Sequence, residues 1–365
     1  MKVVDSYLAQ LVQAGGSDLH LASGVAPMVR VHGQLDALPL PPLENNQVQF
    51  MLDEILDPMR RQIFQDESHV DFVYRMDNPQ SWMNRFRCNA FVQKNGVNIV
   101  FRGIGSHIPT LKDLGLPDIL AHLTHHHHGL VLVVGPAGCG KTSTLAALVR
   151  YINETRATHV ITIEDPIEYV FQNQRAMVVQ RQVGDNVDSF ATALRASLRE
   201  DPDVIVVAEM RDLETISMAI SAAETGHLVL GTLHTRSAVQ TVQRMIDSFP
   251  TNQQAQIRTM LSESLRGVIC QQLVPRADGK GRVVAYELLL VGGSIANLIR
   301  EGKDFQLPNA MQMGRAKGMR MMDDSLKELA QKQWITGETA VRMAHDTKAV
   351  SEAVGYRMQT GAGVA

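Results

Sequence analysis

Residues 130–142 read LVLVVGPAGCGKT, and residues 142–152 read TSTLAALVRYI. A valine-rich apolar run enters a glycine-rich loop, and a helix-forming stretch leaves it. The loop, GPAGCGKT (135–142), fits G-x-x-x-x-G-K-[ST], and strand–loop–helix is the context in which that pattern binds phosphates. The residue types follow from the chemistry. Gly135, Gly138 and Gly140 permit torsions that gather successive N–H groups around phosphate oxygens. The helix amino terminus adds partial positive charge. Lys141 reaches the β- and γ-phosphates, and the Thr142 hydroxyl can ligate Mg²⁺. Pro136, Ala137 and Ser143 complete the candidate nucleotide contacts. Cys139 has two readings: a small residue contributing only its backbone N–H, or a redox-sensitive thiol whose pKa the helix terminus lowers.

Downstream, HVITI (159–163), DVIVV (203–207) and HLVLG (227–231) are further short β-branched runs, separated by helical stretches that include 188–199 and 212–223. With the helix over 141–153, this alternation predicts an α/β domain with a parallel sheet covered on both faces. Ligands of such sheets gather at the carboxyl ends of the strands. DPDVIVVAEMRD (201–212) puts Glu209 there, placed to orient or deprotonate an attacking water. ITIEDPIEYV (161–170) puts Glu164, Asp165 and Glu168 after another strand, where carboxylates can hold Mg²⁺, partly through water. For each carboxylate the plainer alternative is solvated surface charge. HLVLGTLHT (227–235) puts His234 past a fourth strand, as either a structural histidine or a crevice residue.

The preceding hundred residues follow a different pattern. Val4, Leu8 and Leu11 share one face of a helix over 3–14. A polar helix is expected from about Glu44 to Gln65. VDFVYRM, WMNRFRCNAFVQ and VNIVFRGI alternate or run apolar between turn residues, as antiparallel strands do. Residues 1–103 therefore read as a small α+β domain. The glycine- and proline-rich stretch 104–128 reads as a linker, and residues 129–348 as the phosphate-loop domain. The part after about residue 251 is expected to be mostly helical, with one apolar run at YELLLV (286–291). Residues 349–365 read as a flexible tail.

The 365 residues carry 35 basic and 38 acidic side chains, a net charge of −3, which argues against a coat of bound nucleic acid. Three cysteines, Cys88, Cys139 and Cys270, cannot all pair, and a four-cysteine zinc element is impossible within one chain. No stretch approaches the roughly 20 apolar residues of a membrane span. The expected setting is therefore the cytosol, or a membrane reached through partners. His125–His128 reads as a solvated loop rather than a metal site.

Together these segments resemble the pilus retraction ATPases (PilT-type, associated with twitching motility) of the type II/IV secretion ATPase superfamily. The resemblance covers nearly the whole chain. ITIEDPIEYVF resembles the family's aspartate box, DPDVIVVAEMRDLETI its second nucleotide motif, and TGHLVLGTLHT its histidine box. SIANLIREGK (294–303) resembles the carboxy-terminal signature of retraction motors. Ala208 stands where the family usually has Gly, and Cys139 where Ser is usual. The missing zinc element favours a retraction motor over an assembly motor.

The resemblance implies a PAS-like amino-terminal domain and a RecA-like domain with a helical carboxy-terminal part. It also implies a homohexamer that hydrolyses ATP with Mg²⁺ in the cytoplasm, against an inner-membrane platform protein at the base of a type IV pilus. A paralogous retraction ATPase is a possible partner. Glu209 would be the catalytic glutamate, and Lys141 and His234 would act beside it. Arg85, Arg87 and Arg102 would supply arginines to the nucleotide; Arg195 and Arg199 are further candidates. From spacing alone, Arg85 and Arg87 share one face of a strand. Two rivals are an accessory retraction ATPase and a nucleotide-binding scaffold with little turnover.

Overall fold

A computed structural model describes residues 2–31, 33–76, 83–105 and 107–356, which divide into two compact units. The first comprises Met1–His107 and Glu168–Val170. Its strands are β1 (Asp18–Ala22), β2 (Met28–Val31), β3 (Gln34–Ala37), β4 (His69–Arg75), β5 (Arg85–Gln93) and β6 (Gly96–Ile104). They form an antiparallel sheet in the order β3-β2-β1-β6-β5-β4. Alternation sorts the faces. In β5, Phe86, Cys88 and Ala90 turn inward, and Arg85 and Arg87 lie on the other face. Helices α1 (Val3–Gln13), α2 (Asn45–Ile55) and α3 (Pro58–Glu67) close the core. Leu8, Leu11, Met51 and Leu52 join Phe86 and Phe101 there.

The single helix expected over Glu44–Gln65 is two helices. Pro58 has no N–H to continue α2, and it opens α3 instead. Asp57 caps α3, its Oδ1 accepting from the Arg60 N–H at 2.8 Å. The strand expected from Trp82 begins at Arg85; Trp82 itself lies outside the described residues.

The second unit comprises Ile108–Ile167 and Phe171–Ala365. Its strands are β7 (Gly129–Val134), β8 (His159–Glu164), β9 (Met177–Gln182), β10 (Val204–Val207), β11 (Leu228–Leu233), β12 (Leu265–Pro275) and β13 (Arg282–Leu290). The order is β13-β12-β7-β11-β10-β8-β9, with every neighbour parallel except β13. Leu130, Leu132 and Val134 of β7 enter one core, and Val131 and Val133 the other. A strand buried on both faces has to be apolar throughout, which is why this run was readable. Helices α4 (Lys141–Thr155), α5 (Phe190–Ser197), α6 (Leu213–Glu224), α7 (Ala238–Asp247) and α8 (Thr251–Ser264) belong to this unit. They are followed by α9 (Gly293–Arg300), α10 (Leu307–Met313), α11 (Met322–Gln331), α12 (Gly337–Met343) and α13 (Thr347–Val354).

The part after residue 251 is mostly helical, as expected, but RGVICQQLVP within it forms most of β12, laid between β7 and β13. Two expectations need correction. The stretch read as a linker is largely built into the second unit: Leu111, Leu116, Leu120 and Leu123 enter its core, the last two from a 3₁₀ helix, Asp118–His125. The expected tail begins as α13, capped by Asp346 and holding Val350 in the core; residues 357–365 lie outside the described residues. Among the described residues no helix is long and apolar enough to cross a membrane.

Candidate active site

The loop after β7 has torsions that only glycine accepts easily. Gly135 has φ +148°, and a Cβ there would lie 2.3 Å from the Gln271 carbonyl oxygen and 2.6 Å from the Cys139 sulfur. Gly140, at φ +92°, is the N-cap of α4 and offers no side chain to its first amides. A helix amino terminus with no side-chain cap suits an anion. Lys141, Thr142 and Ser143 form the first turn, all half-buried. Lys141 Nζ donates to the carbonyls of Gly135 at 2.9 Å and Pro136 at 3.1 Å.

The Lys141 ammonium also lies 3.3 Å from His234 Nδ1, in the segment after β11. An ammonium can only donate, so His234 Nδ1 accepts and its proton sits on Nε2. That nitrogen meets Glu209 Oε1 at 2.5 Å. Glu209 follows β10, and its other oxygen, Oε2, accepts from Arg211 Nη2 at 2.6 Å. Lys141, His234 and Glu209 are thus brought together from three separate segments, with Arg211 as a fourth member that the sequence reading did not single out. In an extended segment, residues i and i+2 point the same way, and Glu209-Met210-Arg211 carries that signal. Burial acts to raise the Glu209 carboxyl. The hydrogen bonds and charges of Arg211 and His234 outweigh it and hold the group below its usual range.

Gln271 is a second residue missed from sequence. Its side chain bridges Thr144 Oγ1, at 2.9 Å, and the Cys139 carbonyl, at 2.8 Å, bracing the loop against β12. Cys139 is buried. Burial pushes its thiol up, against the Lys141 charge and the backbone N–H groups that act to lower it. Burial of the sulfur therefore argues against the activated-thiol reading. Alkylation of Cys139 is expected to be slower than that of an exposed cysteine, and Cys139→Ser to keep full ATP turnover. Modification faster than a free thiol, read by mass spectrometry, would reverse this assignment.

Glu164 ends β8 nearly buried, its Oε1 accepting from Thr162 Oγ1 at 2.7 Å and Gln180 Nε2 at 2.9 Å. Asp165 follows it, whereas Glu168 falls in the amino-terminal unit. Arg195 pairs with Glu214 at 2.5 Å, and Arg199 is exposed just after α5. In the amino-terminal sheet, Arg87 stands directly opposite Arg102, and Arg102 opposite Asp18. Arg102 Nε meets Asp18 Oδ1 at 2.8 Å. Arg85 Nη1 donates to the Glu168 carbonyl at 3.2 Å, within the same unit.

A RecA-like sheet, a lysine in a phosphate loop, and a carboxylate at the end of a parallel strand two places away define a P-loop ATPase. Residues 1–341 match the Type II/IV secretion system protein family, and the chain belongs to that family. It is 45% identical to the type IV pilus retraction ATPase PilT of Pseudomonas aeruginosa, over 92% of this chain and 96% of that one. It is also 45% identical to a twitching motility protein of Neisseria gonorrhoeae, over 89% of this chain and 86% of that one. A crystal structure of the pilus retraction motor PilT with bound ADP superposes with a TM-score of 0.89. That structure is 44% identical, and the match covers 96% of this chain and 99% of that one.

Proposed function

We propose that this ATPase drives retraction of a type IV pilus, coupling ATP hydrolysis to the withdrawal of pilin subunits. The observation that carries this reading is the near full-length similarity to a pilus retraction ATPase in a chain whose Lys141, His234 and Glu209 converge. Lys141 and the start of α4 hold the phosphates, with the backbone of residues 135–143 as the cradle. Glu209 orients the attacking water and takes its proton. His234 links the phosphate loop to that carboxylate. Arg85, Arg87 and Arg102 stabilise charge on a nucleotide from the outer face of the amino-terminal sheet, with Arg195 and Arg199 as further contributors.

Glu168, in the amino-terminal unit, is set aside as a metal ligand. Thr142, Glu164 and Asp165 of the second unit offer only oxygen donors, the chemistry Mg²⁺ selects, and few protein ligands suffice when phosphates supply the rest. Bound there, Mg²⁺ would offset charge on the β- and γ-phosphates. The amino-terminal domain and the ATPase domain, the latter taking in the stretch from Ile108 and α13, are the working divisions in this reading. The motor is a cytoplasmic homohexamer bearing on the inner-membrane platform protein at the pilus base, with a paralogous retraction ATPase as a further partner, and it needs no nucleic acid. Rigid-body movement of the domains with nucleotide state supplies the stroke.

Deletion and re-expression tests the reading. Loss of retraction with excess surface pili, restored by the parent gene, is expected; a deletion strain that retracts normally refutes it. A finer test uses SIANLIREGK. Ile295 and Ile299 of α9 are buried, Arg300 is exposed, and Lys303 pairs with exposed Glu301 at 2.7 Å. Gly302, at φ +69°, ends the segment. Reversing Arg300 and Lys303 to Glu should leave melting temperature and ATP turnover near the parent's while retraction stops. Normal retraction by that variant would remove this surface from the motor's contacts.

A further inference from the structure

Both oxygens of the Glu209 carboxylate are engaged, and by groups of different kinds. Oε1 meets His234, which in turn faces Lys141 and the phosphate loop. Oε2 is held at 2.6 Å by Arg211, whose guanidinium otherwise reaches solvent, with its side chain 67% exposed against 19% for Glu209. A carboxylate with free rotation about its last bond offers either oxygen to a water. Held at Oε2 by Arg211, the group cannot rotate, and Oε1, the oxygen on the loop side, keeps a second lone pair for a water beside the one that meets His234.

We propose that Arg211 is the positioning residue of this ATPase: it fixes Oε2 of Glu209 so that Oε1 is presented to the attacking water. This rests on the reading of Glu209 as the base. His234 and Lys141 then occupy the same side of the carboxylate as the substrate phosphates, and Arg211 the opposite side. The division of labour has an electrostatic half. Arg211 opposes the burial that would otherwise raise the Glu209 carboxyl, so it also keeps the base ionised. The charged groups around the pair come from four segments: Arg211 beside Glu209 itself, Lys141 at the start of α4, His234 after β11, and Asp165 after β8, which acts on Arg211.

The test is a pH profile of kcat and KM for the full-length parent, Arg211→Ala and Arg211→Lys, with Glu209→Gln as control. In Arg211→Ala, kcat should fall about ten- to a hundredfold, the scale of a misplaced catalytic group, while KM for ATP changes little. The sign of the pH effect is fixed. Without the guanidinium the Glu209 carboxyl rises, so the acid limb of the kcat profile should move to higher pH. Arg211→Lys keeps the charge and should return the limb towards its parental position, with only partial recovery of kcat. An Arg211→Ala enzyme with parental kcat and an unmoved limb overturns the proposal. So does a loss of kcat with a lower melting temperature and an unmoved limb, which would mean a merely structural role. If Glu209→Gln turns over like the parent, the base assignment itself has failed, and this proposal with it; that result is distinct from a failure of Arg211 alone.

Discussion

Glu209→Gln will bind ATP as tightly as the parent and hydrolyse it about 10²- to 10⁴-fold more slowly, the range expected when a general base is removed. The amide keeps the size of the carboxylate and can still accept from Arg211 through its oxygen, at the cost of the His234 contact, which its NH₂ cannot accept. It cannot take a proton from water at neutral pH. Retained binding also follows from geometry: the phosphate-holding groups, Lys141 and the α4 terminus, are untouched by the change. Phosphate release and nucleotide affinity, measured together, check both halves. Turnover within a few-fold of the parent would strip Glu209 of its role.

Arg258→Ala will be among the most destabilising single substitutions in the second unit, by about 3–5 kcal/mol, the typical cost of leaving one half of a buried ion pair. Arg258 Nη1 lies 2.9 Å from both oxygens of Asp304 and 3.2 Å from the Ile299 carbonyl near the end of α9. The Asp304 side chain is only 6% exposed, so its charge is left poorly solvated when the guanidinium goes. Adding Asp304→Asn should recover much of the loss, because the stranded charge goes with it. Urea unfolding of the two variants measures this. A loss below about 1 kcal/mol would place the pair with ordinary surface ion pairs.

What could be read from the residues, and what could not, has physical causes. The strands around the phosphate loop are buried on both faces, so their sequences are apolar throughout and announce themselves. β12 lies in the same sheet but carries Gln271 and Gln272 in its middle, and two adjacent amides break the apolar run. Gln271 is there because it braces the phosphate loop, so the residue that hid the strand is one that serves the site. The break between α2 and α3 was signalled by Pro58, but the polar run on both sides masked it. Cys139 shows a limit of another kind: a helix terminus lowers a thiol pKa only while solvent can reach the sulfur, and nothing local in the sequence reports that burial. Arg211 left a faint trace, a spacing of two from Glu209. The pairing became visible only with the carboxylate's two oxygens resolved.

The bridge from Gln271 to the loop has a mechanical consequence. The crown of the phosphate loop is not a free cantilever on the end of β7; it is pinned at the Cys139 carbonyl and at Thr144 to a neighbouring strand. That strand is laced to β13 from Gly267 opposite Leu290 to Pro275 opposite Arg282, and β13 runs on towards α9. Displacing the loop by the width of a hydrogen bond therefore loads a whole ladder in shear, where the bonds resist together rather than peeling one at a time. The phosphate-gripping end of the molecule and its carboxy-terminal helices share one stiff member, as the two ends of a tie rod do.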